Sequence, residues 1–224
     1  MTRAIALSLG GNGPGGSRAS RGDALALDLG SSSVRGILEL FRVGHEVIKR
    51  DGHLVWDIDS IMAGVREGLD HATEVLGQPP ASIGVDAWGV DYGLIDHSGH
   101  LLRPLRAYRD TRMAKYAAEV DRRLPPRAAW EWTGIQPQEI NTAYQVFADL
   151  AEQPRLRQTV HTLLPIADLA AYLGATPGIG RGIGSSTGLA IPGASQWSAQ
   201  VLNALDIPHE LSLIHISEPT RPER

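Results

Sequence analysis

The stretch ALALDLGSSSVRGILELF, residues 24–41, is the text that decides the fold. Its first six residues are a short apolar run interrupted by one acid, Gly30-Ser31-Ser32-Ser33 stops that run, and a second apolar run goes from Val34 to Phe41. The pattern predicts strand, tight turn, strand. A third strand is expected over 46–50, closed by Asp51-Gly52, a dipeptide that tolerates the left-handed backbone of a hairpin turn. Asp59 or Ser60 then caps a helix in which Ile61, Val65, Leu69, Ala72 and Leu76 recur at helical spacing, until Gly77 and Pro79-Pro80 stop it. A strand over 82–86 completes a strand–helix–strand unit, whose expected form is a parallel crossover. Three antiparallel strands, a helix and a further strand make an α/β domain with a mixed sheet. Beyond it, 141–152 and 155–164 read as helical and 183–191 as a Gly/Ser/Thr-rich loop region.

Working outward, residues 10–22 (GGNGPGGSRASRG) have no periodicity and little to bury, so they read as a flexible segment, and the folded domain is expected over 23–210. No strand precedes those glycines and no Gly-Lys-Ser/Thr ends them, which excludes a Walker phosphate loop. Residues 211–224 (LSLIHISEPTRPER) share no pattern with what precedes them. They resemble a translated sequencing adapter, or else an ordinary disordered end, and the natural chain is expected to continue differently past Glu210.

The composition narrows the function classes. With 42% hydrophobic and 21% charged residues over 224 positions the chain is an ordinary globular one. Lys and Arg number 21 against 25 Asp and Glu, a net charge of -4 that offers no basic face to nucleic acid. The absence of cysteine excludes disulfides, zinc ribbons, iron–sulfur sites and thiol nucleophiles, and fits a cytoplasmic setting. The longest uncharged stretch, 182–205, is too rich in Gly, Ser, Pro and Gln to span a membrane, and the apolar run after Arg3 is too short for a secretion signal. The eight histidines show no metal-ligand spacing, and Ser185-Ser186-Thr187-Gly188 is not a nucleophile elbow.

Three constellations carry chemistry. In Asp28-Leu29-Gly30-Ser31-Ser32-Ser33-Val34-Arg35 an acid at a strand end can hold hydrated Mg2+, and successive N–H and hydroxyl groups can wrap a phosphate. A polar hairpin turn is the alternative. In Gly84-Val85-Asp86-Ala87-Trp88-Gly89-Val90-Asp91-Tyr92-Gly93 two carboxylates, an indole and three glycines follow the crossover strand, where α/β sheets gather their ligands. Carboxylates hydrogen-bond sugar hydroxyls and an indole packs on sugar C–H bonds, so this string points to a site rather than to a Trp in the core and an Asp in a turn. Tyr108-Arg109-Asp110-Thr111-Arg112 supplies either ligand contacts or a solvated ion-pair network, the commoner outcome for such a run.

Together with LVWDIDSI (54–61), WTGIQPQEINTAYQ (132–145) and LLPIADLAAYL (163–173), these segments resemble, in order, the N-terminal domain of the FGGY carbohydrate kinases, and most of all its rhamnulokinase branch. The likeness runs from about Asp23 to Pro208. It implies an actin-like ATPase (ribonuclease H-like) domain, the N-terminal half of a two-domain kinase. The implied reaction is ATP-dependent phosphorylation of L-rhamnulose at its 1-hydroxyl in a cleft between two such domains, with L-fuculokinase or xylulokinase activity, or a non-catalytic nucleotide- or sugar-binding module, as alternatives. The implied cofactors are ATP and Mg2+, and the implied partners are small-molecule sugar and ATP, with neither nucleic acid nor membrane. By motif, Ser31, Ser32, Ser33, Val34 and Arg35 match the ATP-phosphate loop, Asp28 the acid near the metal, and Gly89 a sugar-contacting glycine. Val34 stands where the family often has glycine. The family's general base lies in a Gly-His-Asp-Thr string that this sequence does not contain, so the chain by itself is expected to be nearly inactive.

Overall fold

The computed structural model describes residues 24–29, 33–36, 41–80, 82–174, 187–191 and 196–211. The expectations for the Gly-rich segment 10–22, for Ser31 and Ser32, for 183–186 of the 183–191 loop and for the tail beyond Leu211 fall outside them. The chain divides into two units, Met1–Glu46 with Asp59–Trp88 and Val47–Ile58 with Gly89–Arg224.

The first unit is built on a mixed four-stranded sheet. The strands β1 (Ala24–Leu29), β2 (Ser33–Gly36) and β3 (Arg42–Gly44) run antiparallel in sequence, with Leu29 opposite Val34 and Val34 opposite Val43. On the other side of β1 the later strand β6 (Ser82–Ala87) pairs in parallel, giving the order β3-β2-β1-β6. The crossover helix α1 (Ile58–Leu76) buries Ile61, Met62, Val65 and Ala72 together with Gly64 and Gly68, a stripe at the spacing an amphipathic helix requires. The two glycines admit β3 and the residue before it: a Cβ at Gly64 would lie 3.0 Å from Val43, and one at Gly68 would lie 1.9 Å from the Phe41 ring. Gly77 ends the helix at φ +70°, a backbone that costs glycine little. The helix already contains Asp59 and Ser60, so its start precedes both expected caps.

Residues 46–50 do not form the third strand of this sheet. β4 (Val47–Arg50) pairs instead with β5 (His53–Trp56) as a separate hairpin in the second unit. Asp51 and Gly52, both at positive φ (51° and 85°), form the expected turn.

The rest of the second unit is helical around one more strand pair. β7 (Tyr92–Asp96) pairs antiparallel with β8 (Val160–Pro165). The helices are α2 (Ala117–Arg123), α3 (Pro126–Thr133), α4 (Thr142–Glu152), α5 (Leu156–Thr159), α6 (Ile166–Leu173) and α7 (Ala199–Leu205), preceded by a 3₁₀ turn over Thr111–Lys115. The helix expected over 155–164 is therefore one helical turn followed by a strand. Leu163 and Leu164 face the core opposite Leu94 and Gly93, and that tertiary pairing overrides a short apolar run of ambiguous period. α4 is buried at every position from Thr142 to Leu150, which makes it the central helix. Val120, Val146, Leu150, Leu163, Leu189, Val201 and Leu205 form the core around it. Leu211, assigned to the tail by its sequence, is also in this core, and its carbonyl accepts from the Trp197 indole at 2.9 Å.

Candidate functional site

At the carboxyl ends of the parallel pair β1 and β6 the register sets Asp28 opposite Asp86 and Leu29 opposite Ala87. This is the end of an α/β sheet at which ligands collect. Ser33, Val34 and Arg35 are strand residues of β2, with Arg35 opposite Asp28 and Val34 opposite Leu29. Of the five expected phosphate-loop positions these three are thus in the hairpin's second strand. Asp86 is exposed, and the half-buried Trp88 ring lies 5.6 Å from the ring of His45.

In the second unit the string continues as Gly89, Val90 and Asp91. Val90 sits at φ +68°, where a β-branched residue is out of place. Two side chains of α4 hold it there: the Thr142 hydroxyl donates to the Val90 carbonyl at 2.8 Å, and the Gln145 amide donates to the same oxygen at 3.1 Å. Asp91 is not presented to a ligand. It is buried, its Oδ2 accepts from the Trp56 indole at 2.6 Å, and its carbonyl accepts from the Ile166 amide at 3.1 Å. Of the two carboxylates expected to meet sugar hydroxyls, this one is spent on the scaffold.

Gln145 is fully buried, and the orientation of its amide follows from its neighbours. Arg112 can only donate, so Oε1 faces Arg112 Nη2 at 2.9 Å, while Nε2 faces the carbonyls of Val90 and Ile140. Arg112 leads to Asp149, one turn further along α4. The Asp149 carboxylate accepts from Arg112 Nε at 3.0 Å, from Arg106 Nη1 at 3.1 Å, from Arg103 and from the Tyr92 hydroxyl. Arg106 also reaches Glu152 at 2.6 Å. Burial, and then the Asp149 charge, push the Tyr92 phenol far above its ordinary pKa, which keeps it a donor.

Asp110 closes the same network. Its Oδ2 accepts from the Leu54 amide at 2.8 Å and its Oδ1 from the Arg112 amide at 3.0 Å, so it caps the 3₁₀ turn and ties it to β5. Burial alone would raise the Asp110 carboxyl, yet those two amides, the Arg112 guanidinium and His53 hold it below the usual carboxylate range. The run 108–112 is therefore not the solvated network its composition suggests: Asp110 and Arg112 are buried, while Thr111 and Arg109, the latter stacked over Tyr108, are exposed. Arg103, Arg106, Thr142, Gln145 and Asp149 were not legible as a group. The available signal was Gln145 and Asp149, two polar residues four apart on one face of a helix whose middle is otherwise mostly apolar. Among the described residues no three His, Asp or Glu side chains cluster as a metal site, and no helix is long and apolar enough to cross a membrane.

The comparisons with known proteins bear on this arrangement. No family model matches the chain. It is 34% identical over 158 residues to a rhamnulokinase of Bacillus subtilis and 37% identical over 161 residues to one of Yersinia pestis, each match covering 66% of this chain. Over these residues the chain is similar to the FGGY-type sugar kinases. It spans about a third of the length of these relatives, 32% and 33%. Among solved structures, a ligand-bound xylulose kinase and a gluconate kinase, both from Lactobacillus acidophilus, superpose with TM-scores of 0.72 and 0.71 over 84% of this chain and 41% and 40% of theirs. At 14% and 15% identity they establish the fold alone, that of the actin-like ATPases.

Proposed function

We propose that the complete protein carrying this chain transfers the γ-phosphoryl group of ATP to the 1-hydroxyl of L-rhamnulose. The observation that carries this reading is the identity to rhamnulokinases over some 160 residues, which exceeds the identity to any sugar kinase among the structural neighbours named above. Phosphoryl transfer asks a protein for positioning and charge stabilisation rather than for covalent chemistry. Asp28, opposite Asp86 in the β1–β6 register, would hold Mg2+ through the carboxylate oxygen that ion prefers, and residues 31–35 would receive the phosphates. Mg2+ would neutralise charge on the transferring group. Gly89 contacts the sugar, carried on a backbone that α4 holds. No nucleophile or general base is assigned to the described residues, and the chain alone is proposed to turn over little. Reliance on cellular ATP puts the protein in the cytoplasm.

A coupled ADP-release assay of the complete protein across L-rhamnulose, L-fuculose and D-xylulose tests the reading. L-Rhamnulose should give the highest kcat/KM. A higher value with another ketose would overturn the substrate but keep the kinase, and ADP release indifferent to every ketose would overturn both.

A further inference from the structure

Val90 is a β-branched residue in the left-handed region, a conformation disfavoured by a factor of roughly 10 in population for residues other than glycine. It persists because its carbonyl is held twice from the central helix, by Thr142 Oγ1 at 2.8 Å and Gln145 Nε2 at 3.1 Å. Both donor side chains are buried, at 1% and 0% exposure, and Val90 is half-buried, so the two bonds are largely shielded from water. Gln145 is itself anchored by Arg112 at 2.9 Å and by the Ile140 carbonyl at 2.9 Å, and the next residue, Asp91, is fixed by Trp56 and Ile166. The clamped carbonyl lies in the peptide group joining Val90 to Asp91, so α4 sets that group's direction, and the Val90 φ of +68° then sets the direction of the preceding Gly89–Val90 peptide relative to it.

We propose that Thr142 and Gln145 are positioning residues for the sugar: they clamp Val90 in its strained conformation and thereby aim the Gly89 backbone at the ketose. This rests on the reading of Gly89 as a sugar contact. Neither side chain touches substrate; both act through Val90. Backbone strain of this kind persists only where its surroundings over-determine it, and here those surroundings are two hydrogen bonds to one oxygen.

The test follows the Gly89 amide of the full chain by 15N NMR during titration with L-rhamnulose, for the parent, Thr142→Val, Thr142→Ser, Val90→Gly and the double variant Thr142→Val with Val90→Gly. Losing one buried hydrogen bond should weaken ketose binding by about tenfold in Thr142→Val, and Thr142→Ser, which keeps the hydroxyl, should stay within about twofold of the parent. Glycine adopts the left-handed backbone without a clamp, so in the Val90→Gly background Thr142→Val should change affinity by less than about threefold. That recovery is not expected of a residue that merely supports folding. Equal binding by the parent and Thr142→Val would overturn the clamp, as would a tenfold loss that persists in the Val90→Gly background. If Thr142→Val does not fold alone, the comparison within the Val90→Gly background decides by itself. A parent chain whose Gly89 signal ignores L-rhamnulose would overturn the sugar reading and this proposal with it, and is distinguished from a failed clamp because there the parent still binds.

Discussion

Asp149 is the acceptor on which three guanidinium groups and one phenol depend, in a place where its side chain is only 1% exposed. Removing it strands Arg103, Arg106 and Arg112 with too few acceptors. Breaking a buried ion network from one side typically costs about 3–5 kcal/mol, so Asp149→Ala should lower the stability of the chain by about that amount in urea denaturation at pH 7. A loss below about 1 kcal/mol would show that water or Glu152 replaces it. Asp110 gives a pH signature. Its folded-state pKa lies below the unfolded value near 3.8, so its contribution to stability is complete at neutral pH and drains away as the pH falls through the carboxylate range toward the folded value. The stability deficit of Asp110→Asn against the parent, present at pH 7, should therefore shrink on acidification to about pH 3; a deficit independent of pH would mean the charge is irrelevant. Neither role was readable in the sequence, since Arg-Asp-Thr-Arg looks the same whether it is solvated or folded under a helix. Burial is decided by Leu54, Gln145 and Asp149, which are distant in the chain.

At the level of elements, the crossover helix offers a clean contest between propensity and packing. Ala at position 68 would gain about 1 kcal/mol of helix propensity over glycine. Its Cβ would also fall 1.9–2.0 Å from two atoms of the Phe41 ring, which must swing aside. The packing term should win, and Gly68→Ala should cost about 1–3 kcal/mol in thermal unfolding; a raised Tm would show that Phe41 is not seated against α1. The elements that were legible are those set by local chemistry: the Asp51-Gly52 turn, the apolar stripe of α1 ended by Gly77, and the crossover strand β6. Those that were not legible depend on partners. β8 needs β7 to be a strand, and β4 pairs with β5, across two turn residues, rather than with the opening sheet. The Gly89 to Asp91 segment was recognisable as special by its composition, but the left-handed Val90 and the clamp from α4 were not, because nothing in a Val announces φ +68°.

For the whole molecule, the mixed sheet and the identity to rhamnulokinases support the proposed phosphoryl transfer. The expected metal and phosphate positions, Asp28 and 31–35, belong to one unit of the chain, and Gly89, with the residues that hold it, belongs to the other. Since the chain spans a third of its curated relatives, turnover is a property to be measured on the complete protein. The most direct measurement is 31P NMR of what that protein makes from ATP, Mg2+ and L-rhamnulose. A rhamnulose kinase gives a new phosphate-ester signal split by the two protons on C1, accumulating in step with ADP. Phosphate released only as the inorganic ion, or no ketose-dependent signal at all, would contradict the sugar-kinase reading.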